Sequence, residues 1–166
     1  MCMVSSLNGY IARGDGSMDW TSQEDKALFV ALAQEIGVLI TGKNTYDLVR
    51  KQKQQLDLSL RVVVTHNPQA MEPQKNTIFT DAPPKDILAM IEKRGYNRVL
   101  VAGGGQINSQ FLKNHLIDDI HLSIEPVVLG LGIPLFAPDN IESRLELLEM
   151  NKLNENTIHL HYKVLK

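Results

Sequence analysis

The sequence predicts an α/β protein in which helices pack against a mixed, mostly parallel β-sheet. Two observations favour this fold class. Short apolar segments alternate with helix-like segments from the first residues to about residue 115, which is typical of strands joined by helical crossovers. From about residue 119 onwards, strand-like segments follow one another without a helix. This change predicts an antiparallel edge on a parallel body.

The first half of the chain reads as two strand–helix units. Asn-Gly and Asp-Gly pairs before the first helix predict a loop, and Thr21 or Ser22 is the expected cap of that helix. Gly42 turns the second strand into the second helix. The predicted elements are a strand at Met1–Ser5, a helix at 22–36, a strand at Val38–Thr41 and a helix at 44–50.

The second half continues the alternation and then changes to strands alone. The pair Pro83 and Pro84 predicts a helix start. The last two strands are expected to pair through a turn at 151–156. The predicted elements are strands at 61–65, 98–102, 119–124, 144–150 and 156–164, and helices from Pro84 to about Arg94 and from the glycines after residue 102 to about His115.

Composition limits the classes of function. The 166 residues carry a formal net charge of −2 with acids and bases mixed along the chain, so no basic patch points to nucleic acid. No apolar run approaches the ~20 residues that span a bilayer, and the first residues do not resemble a secretory signal. The single cysteine, Cys2, excludes an internal disulfide. We expect one cytoplasmic domain that binds neither nucleic acid nor membranes.

Three consecutive glycines, Gly103, Gly104 and Gly105, follow the strand at 98–102. Glycine allows a sharp turn and a close approach of the backbone to a ligand. The N–H groups at the start of the next helix favour a phosphate or pyrophosphate. A plain helix-start turn needs one glycine, so three favour ligand contact. Because no third spaced glycine follows, the segment does not match the fingerprint of a Rossmann fold.

Asp25 is the candidate for an acidic group at the reaction centre. Helical spacing places it at the start of an apolar face that continues through Phe29. It is either the acid of a capping box with Ser22 or a partly buried carboxylate that binds and polarises a protonated heterocycle. Thr21 and Glu24 have the spacing of a capping box as well, which would leave Asp25 free.

A second anion site is predicted where Gly42, Lys43, Asn44 and Thr45 lead from a buried strand into a helix. Lys43 can meet a phosphate as a point charge. Alone, the segment is better explained as an ordinary loop with a solvated lysine. Together with the three glycines it favours a ligand that has two separated phosphate groups.

Other polar and aromatic residues are less specific. Trp20 either lines a pocket or fixes the loop before the first helix. His159 and His161 share a face of one strand, but no third ligand is evident, so a structural role is favoured and no metal is expected. His66, at the end of a strand, is better placed to touch a phosphate than a metal.

Several of these segments occur in an order found in one family. Nearly the whole chain resembles the dihydrofolate reductase superfamily, in the branch of the C-terminal reductase domain of bacterial riboflavin-biosynthesis enzymes. The segments that carry the resemblance are Ser5-Ser-Leu-Asn-Gly-Tyr-Ile-Ala12, Trp20, Asp25, Phe29, Ile40-Thr-Gly-Lys-Asn-Thr-Tyr46, Val63-Val-Thr-His66, Val101-Ala-Gly-Gly-Gly105, Leu122-Ser123 and Pro126-Val-Val-Leu-Gly-Leu-Gly-Ile-Pro-Leu-Phe136.

The resemblance implies a three-layer fold with one mostly parallel eight-stranded sheet, NADPH as the cofactor, and a homodimer. It implies that Lys43 and His66 meet the 2′-phosphate, and that the peptide between Gly103 and Gly104 is cis. The residues that it implies for the cofactor are Ala12 near the nicotinamide, Gly42, Lys43, Asn44 and Thr45 at one helix start, Thr65 and His66 by the adenosine, Ala102 with the glycine pair Gly103 and Gly104, and Gly105, Gln106 and Ile107 by the pyrophosphate.

For the substrate, the resemblance implies that Asp25 grips the heterocycle and raises the basicity of its imine. It also implies a pocket formed by Val4, Trp20, Phe29 and Ser123. The expected activity is therefore hydride transfer from NADPH to a small pterin-, folate- or pyrimidine-like substrate. The alternatives are a nucleotide-binding protein without turnover, a flavodoxin-like domain, and a 5-amino-6-(5-phosphoribosylamino)uracil-type reductase of riboflavin biosynthesis.

Two positions depart from the patterns of the relatives. Ser59 stands where folate reductases place an arginine for the glutamate tail of their substrate. Ala102 stands where riboflavin-pathway reductases often carry an acid. Neither named substrate is therefore specified by the sequence.

Overall fold

The computed structural model describes residues 1–51 and 56–166 of the chain. Within these ranges the chain alternates strands and helices as far as α4 and then forms strands alone. The elements are β1 (Cys2–Ser6), β2 (Tyr10–Arg13), α1 (Gln23–Ile36), β3 (Val38–Gly42), α2 (Lys43–Lys51), β4 (Leu60–Val64), a 3₁₀ turn (Pro68–Ala70), β5 (Thr77–Thr80), α3 (Pro84–Glu92), β6 (Leu100–Val101), α4 (Gly105–Lys113), β7 (Asp119–Glu125), β8 (Gly132–Pro134), β9 (Arg144–Lys152) and β10 (Ile158–Leu165).

Four strands form a parallel sheet in the order β5–β4–β3–β6. Its central strands are mostly apolar, with Val38, Ile40 and Val62 fully buried, as expected for strands covered on both faces. The chain passes from β3 through α2 to β4 and β5 on one side of β3, and then through α3 to β6 on the other side. The crossover direction therefore reverses between β3 and β6.

A second sheet has the order β1–β7–β10–β9. The first strand runs parallel to β7, whereas β10 runs antiparallel to both of its neighbours. The N–H of Leu153 donates to the carbonyl of Thr157 in the turn between β9 and β10. The predicted antiparallel pair at the end of the chain is confirmed.

The expected single eight-stranded sheet is not reproduced as one continuous ladder. Among the described residues, β6 pairs with β3 and β1 pairs with β7, so two four-stranded sheets form instead. The physical reason lies at the end of β6, where the N–H of Ala102 still donates to the carbonyl of Ile40 and the chain then turns away through glycines. The two sheets are neighbours at this point. The side chain of Met3 in β1 lies so close to Gly103 that a Cβ on the glycine would be 3.0 Å from Cε of Met3.

Helices cover both faces of the parallel sheet. Alternate residues of β3 belong to different apolar clusters, since Ile40 packs with Phe111 of α4 while Leu39 packs with Ala33 of α1. α1 ends at Gly37, whose φ of 74° and N–H bond to the carbonyl of Ala33 form a left-handed cap. No helix among the described residues is long and apolar enough to cross a membrane.

Three short strands are absent from the sequence prediction. β2 and β8 pair only with each other and form a two-stranded ribbon, and β2 occupies part of the predicted loop. β5 has four residues and pairs with β4. A strand of three or four residues is too short to show a clear alternation of apolar and polar residues, so its sequence does not reveal it. Such a strand forms because its pairing partner stabilises it.

Candidate active site

The two predicted glycine sites meet where the crossover direction of the parallel sheet reverses. The N–H of Gly42, at the end of β3, donates to the carbonyl of Gly103 at 2.8 Å. The hydroxyl of Thr41 donates to the same carbonyl at 3.1 Å. Open α/β sheets bind ligands in the crevice at such a reversal, outside the carboxyl ends of the strands. The sequence segments at 42–45 and 103–107 therefore share one edge of the sheet.

The start of α4 is built to approach a ligand closely. Gly104 is the N-cap, and no side chain of the described residues caps this helix. The first-turn N–H groups of Gly105, Gln106 and Ile107 thus need another acceptor, and an anion can provide it. The peptide between Gly103 and Gly104 is cis, as the resemblance implies.

Glycine is required at two of these positions for different reasons. Gly103 has a φ of 78°, a left-handed conformation that side chains disfavour. A Cβ on Gly105 would lie 2.4 Å from the carbonyl oxygen of Pro134, which is backbone and cannot move aside cheaply. The side chain of Ile107 lies in the core, so only its backbone N–H can serve a phosphate.

The β2–β8 ribbon is fastened to the start of α4. The buried Asn108 donates through Nδ2 to the carbonyl of Leu135 at 2.8 Å, and Ser109 donates to the carbonyl of Ala137 at 3.0 Å. These bonds bring the ribbon, and with it the buried Ala12 of β2, towards the glycine turn. Asn108 was not among the sequence candidates, because an asparagine inside a helix has no distinctive pattern.

Lys43 and His66 lie at the ends of adjacent strands. In register, Gly42 is opposite Val64, so Lys43 and Thr65 follow neighbouring positions at the same sheet edge. Lys43 forms a partly exposed ion pair with Asp47 one turn further along α2. Such a pair contributes at most about 0.5 kcal/mol, so a phosphate can compete for the lysine.

The remaining cofactor candidates at this edge differ in exposure. The buried Thr65 donates its N–H to the carbonyl of Thr80 at 2.9 Å, whereas His66 is exposed. Asn44 is also exposed at the start of α2. Thr45 faces the glycine turn, since its Oγ1 lies 3.5 Å from the position of a Cβ on Gly104.

The carboxylate of Asp25 is not used to cap its own helix. Ser22 is the N-cap of α1, and its hydroxyl accepts a bond from the N–H of Asp25 at 3.2 Å. The reciprocal bond of a capping box is made by a distant residue, because the N–H of Ser22 donates to Oε1 of Glu125 at 2.8 Å. Asp25 is therefore free for another role.

The predicted alternative, a capping box formed by Thr21 and Glu24, is wrong. The hydroxyl of Thr21 donates to the carbonyl of Met18, and Glu24 is exposed and accepts a bond from Asn154. The sequence predicted a free Asp25 for this reason, but Glu125, 100 residues further along the chain, is the actual cause.

Asp25 lies in a buried and electrostatically unusual position. Only 6% of it is exposed, and burial raises the pKa of its carboxyl. The interaction with the hydroxyl of Ser123 opposes this rise in pKa, while the nearby charge of Glu125 reinforces it. Burial, followed by the charge of Asp25, raises the pKa of Cys2 to about 12, so this thiol stays protonated. A carboxylate in such a setting can exchange a proton or bind a cationic ring.

The structure describes the surroundings of each predicted substrate residue. Val4 is opposite Ser123 in the parallel pairing of β1 with β7, and both are buried. Phe29, one turn after Asp25, packs on the apolar cluster that contains Ala102. The indole nitrogen of Trp20 is a buried donor with no partner among the described residues. Because buried polar groups are normally hydrogen-bonded, this donor is available to an acceptor outside the described residues.

One cavity lies outside the candidate site. A shallow cavity at the amino ends of β4 and β5, lined by residues that include Arg61 and Asn76, contains none of the predicted site residues. Within residues 1–51 and 56–166, no group of three or more histidine, cysteine or acidic side chains is arranged to hold a metal ion.

Comparison with known proteins agrees with the fold. The sequence matches the RibD C-terminal domain over residues 1–159. It is 28% identical to YwjB, an uncharacterized protein of Bacillus subtilis strain 168, over 162 residues, which are 95% of this chain and 92% of YwjB.

Two solved structures extend the comparison. A Shewanella sp. PV-4 protein named for riboflavin biosynthesis is 26% identical, with a TM-score of 0.85, and the alignment covers 99% of this chain and 97% of that one. The diaminohydroxyphosphoribosylaminopyrimidine deaminase/5-amino-6-(5-phosphoribosylamino)uracil reductase of Thermotoga maritima has a TM-score of 0.80 at 16% identity, over 99% of this chain and 55% of that one. At this identity the second likeness concerns the fold alone. On the family match, the chain belongs to the RibD C-terminal domain family.

Proposed function

We propose that this protein is an NADPH-dependent reductase that transfers a hydride to a small heterocyclic substrate of the pyrimidine, pterin or folate class. The observation that carries the proposal is the contact between the two glycine sites where the crossover direction of the sheet reverses. Phe29, on the same helix as Asp25, packs on the apolar cluster that contains Ala102 at the end of β6. Membership of the RibD C-terminal domain family and the reductase activity in the name of the Thermotoga protein support the same reaction class.

The residues at this edge fit a dinucleotide. The uncapped N–H groups at the start of α4 suit the pyrophosphate. Lys43 and His66 are the residues that we assign to the 2′-phosphate, and Thr65 to the adenosine. Ala12, on the ribbon tied to α4, is assigned to the nicotinamide side. When bound, NADPH supplies the hydride, and the protein supplies orientation and electrostatics.

Asp25 has the central role in this proposal. Its buried carboxylate binds an N–H of the ring or a protonated imine, which makes the neighbouring carbon a better hydride acceptor. The unpartnered indole N–H of Trp20 donates to a ring carbonyl or nitrogen. Phe29 and Val4 pack on the ring and exclude water, which strengthens the interaction with the carboxylate.

Substrate choice depends on two departures from the relatives. Ser59 is exposed at the start of β4 and offers no positive charge to a glutamate tail. Ala102 is 9% exposed and offers no carboxylate next to the glycine turn. The decisive experiment is therefore a screen of NADPH oxidation against dihydrofolate, dihydropterins and diaminopyrimidine phosphates, with NADH in parallel.

Binding and turnover are separated by a second measurement. Trp20 is the only tryptophan, so NADPH binding is expected to quench the intrinsic fluorescence and to raise the melting temperature. Asp25→Asn should keep this quenching and lose NADPH oxidation. No response to millimolar NADPH would remove the proposal. Quenching without oxidation of any substrate would favour a nucleotide-binding protein that does not turn over.

We also propose that the protein forms a homodimer through β9. This strand pairs with β10 on one side, and none of the described strands pairs with its other edge. A register shift between His161 and Tyr162 places Leu147 and Met150 on one face, and these side chains are 51% and 63% exposed. An unpaired edge with an exposed apolar face favours association with another strand.

A further inference from the structure

Three histidines form a row on the sheet face that carries Ser123. His121 lies two residues before Ser123 on β7, and both point to the same face. On β10, His159 is opposite Ser123 and His161 is opposite His121. The spacing of His159 and His161 in the sequence places both on one face of β10. The sequence does not show that His121 lies beside them, because this depends on the antiparallel register of β7 with β10.

The row is connected by hydrogen bonds that end at the candidate active site. Nδ1 of His121 is 3.2 Å from Nε2 of His159. Nδ1 of His159 is 3.1 Å from the hydroxyl oxygen of Ser123. The hydroxyl of Ser123 is also close enough to the carboxyl of Asp25 to oppose the rise in its pKa. Two hydrogen bonds thus lead from His121 to Ser123, which lies beside Asp25.

His121, where the path begins, is only partly buried. His121 stacks on His161 with ring centroids 4.1 Å apart. His161 is 23% exposed in its side chain, and its Nε2 lies 2.9 Å from Oδ1 of the half-exposed Asp119. Because the rings bond to each other or stack, their nitrogens do not converge on one point as metal ligands would.

We propose that His121, His159 and Ser123 form a proton relay that delivers a proton from solvent to Asp25 during turnover. The relay rests on the proposed reductase function, in which reduction of a C=N bond by hydride also consumes one proton. The carboxylate of Asp25, which lies against the substrate nitrogen in that function, takes up one proton from the row and passes it to this nitrogen. The row of side chains is a path for this proton while water stays excluded.

The transfer can be written so that every proton is accounted for. Initially, His121 and His159 each carry hydrogen on Nδ1. Solvent adds a proton to Nε2 of His121, whose Nδ1 proton passes to Nε2 of His159. The Nδ1 proton of His159 passes to the oxygen of Ser123, whose own proton passes to Asp25. The carboxylate gains one proton, both rings stay neutral with hydrogen now on Nε2, and no electrons move.

The charge state of the rings suits this path. Burial lowers the pKa of His121 to about 4, and burial also lowers the pKa of His159. Both rings are therefore neutral at pH 7, with one donor and one acceptor nitrogen each. The charged and titratable groups that face the row and Asp25 are the amino terminus, Cys2, Lys26, Asp119, Glu125, Glu149 and His161.

The kinetic test compares two glutamine variants. His159→Gln keeps hydrogen-bonding capacity but cannot accept a proton on one atom while releasing one from another, so kcat at pH 8 should fall about tenfold. The KM for NADPH should change less than twofold, and added imidazole should restore part of kcat. His161→Gln, beside the path but outside it, should retain the wild-type kcat. Melting curves check that both variants are folded.

Equal kcat values for wild type and His159→Gln across the pH range would overturn the relay. An equal loss in both variants, without imidazole rescue, would also overturn it, since that result indicates a structural disturbance. These outcomes differ from failure of the proposed function, in which the wild-type protein itself oxidises NADPH with none of the screened substrates.

A second readout does not need turnover. Long-range ¹H–¹⁵N spectra of the free protein at pH 7 should show His121 and His159 as neutral rings with hydrogen on Nδ1. Asp25→Asn should shift the ring nitrogens of His159 and leave those of the exposed His115 unchanged. Imidazolium signals from His159 at pH 7, or a His159 indifferent to Asp25→Asn, would contradict the relay.

Discussion

Asp25→Asn should stabilise the protein while it abolishes reduction. The carboxyl of Asp25 is 6% exposed, and burial raises its pKa above the unfolded value, so the native state ionises it less readily than the unfolded chain does. A group whose pKa is raised on folding lowers stability as the pH rises through that pKa, because the unfolded chain releases the proton more readily. Asparagine has nearly the same shape and no charge, so it removes this cost.

The size of the effect follows from two opposing contributions. The carboxylate in the first turn of α1 gains about 0.3–1 kcal/mol from the helix dipole, which asparagine loses. Removal of the buried charge outweighs this term, because desolvation is the largest influence on the pKa of Asp25. We expect a net gain of about 1 kcal/mol in the free energy of unfolding. For a chain of this length, the melting temperature should rise by about 2–4 °C.

Thermal unfolding and NADPH oxidation are measured on the same preparations. Wild type, Asp25→Asn and Glu24→Gln are compared between pH 4 and pH 8. The stabilisation of Asp25→Asn should be largest near pH 8 and shrink towards about pH 4, where the unfolded chain also protonates this carboxyl and burial of the charge no longer lowers stability. Its kcat should fall by about 10²- to 10⁴-fold. Glu24→Gln, which neutralises the adjacent exposed acid, should leave kcat unchanged.

Two results would refute this reasoning. An Asp25→Asn variant that melts at a lower temperature at every pH would show that the carboxylate holds the fold together. An Asp25→Asn variant with wild-type kcat would remove Asp25 from the reaction.

Three other predictions concern the cofactor site, the helix cap and the subunit interface. Gly104→Ala has room for its Cβ, with the nearest described atom at 3.5 Å, but the methyl group lies between the two glycine sites. The NADPH Kd should rise about tenfold, or ~1.4 kcal/mol, whereas Gly14→Ala, with no atom within 4 Å, should bind normally by fluorescence titration. Glu125→Ala leaves one buried and one partly buried donor unpaired and should lower the free energy of unfolding by about 3 kcal/mol; an unchanged urea midpoint would contradict this. Leu147→Lys adds charge to the exposed edge and should yield a monomer by light scattering, while an unchanged mass would place the interface elsewhere.

Local patterns were sufficient to locate the two glycine turns and to single out Asp25 as a candidate. Three glycines at 103–105 and the segment at 42–45 are contiguous in sequence, and the constraints on them come from backbone geometry and helix starts. Asp25 was recognised because it begins an apolar helical face. These features depend on neighbouring residues, so a sequence reader can find them without knowing the tertiary structure.

Features that depend on pairing between distant segments could not be found in this way. Glu125 replaces the local acid of the capping box, and it lies close to Ser22 only because β7 packs beside the start of α1. Asn108 ties the ribbon to α4 through a carbonyl 27 residues away. His121 joins the histidine row through the register of β7 with β10. In each case one partner has no distinctive local pattern.

A crystal structure of the protein with NADPH tests the central claim most directly. The pyrophosphate should lie on the N–H groups of Gly105, Gln106 and Ile107. The nicotinamide ring should lie on the Ala12 side of the crevice, facing Asp25 across a space that fits one heterocycle. A dinucleotide bound away from the edge shared by β3 and β6, or a nicotinamide turned away from Asp25, would contradict it.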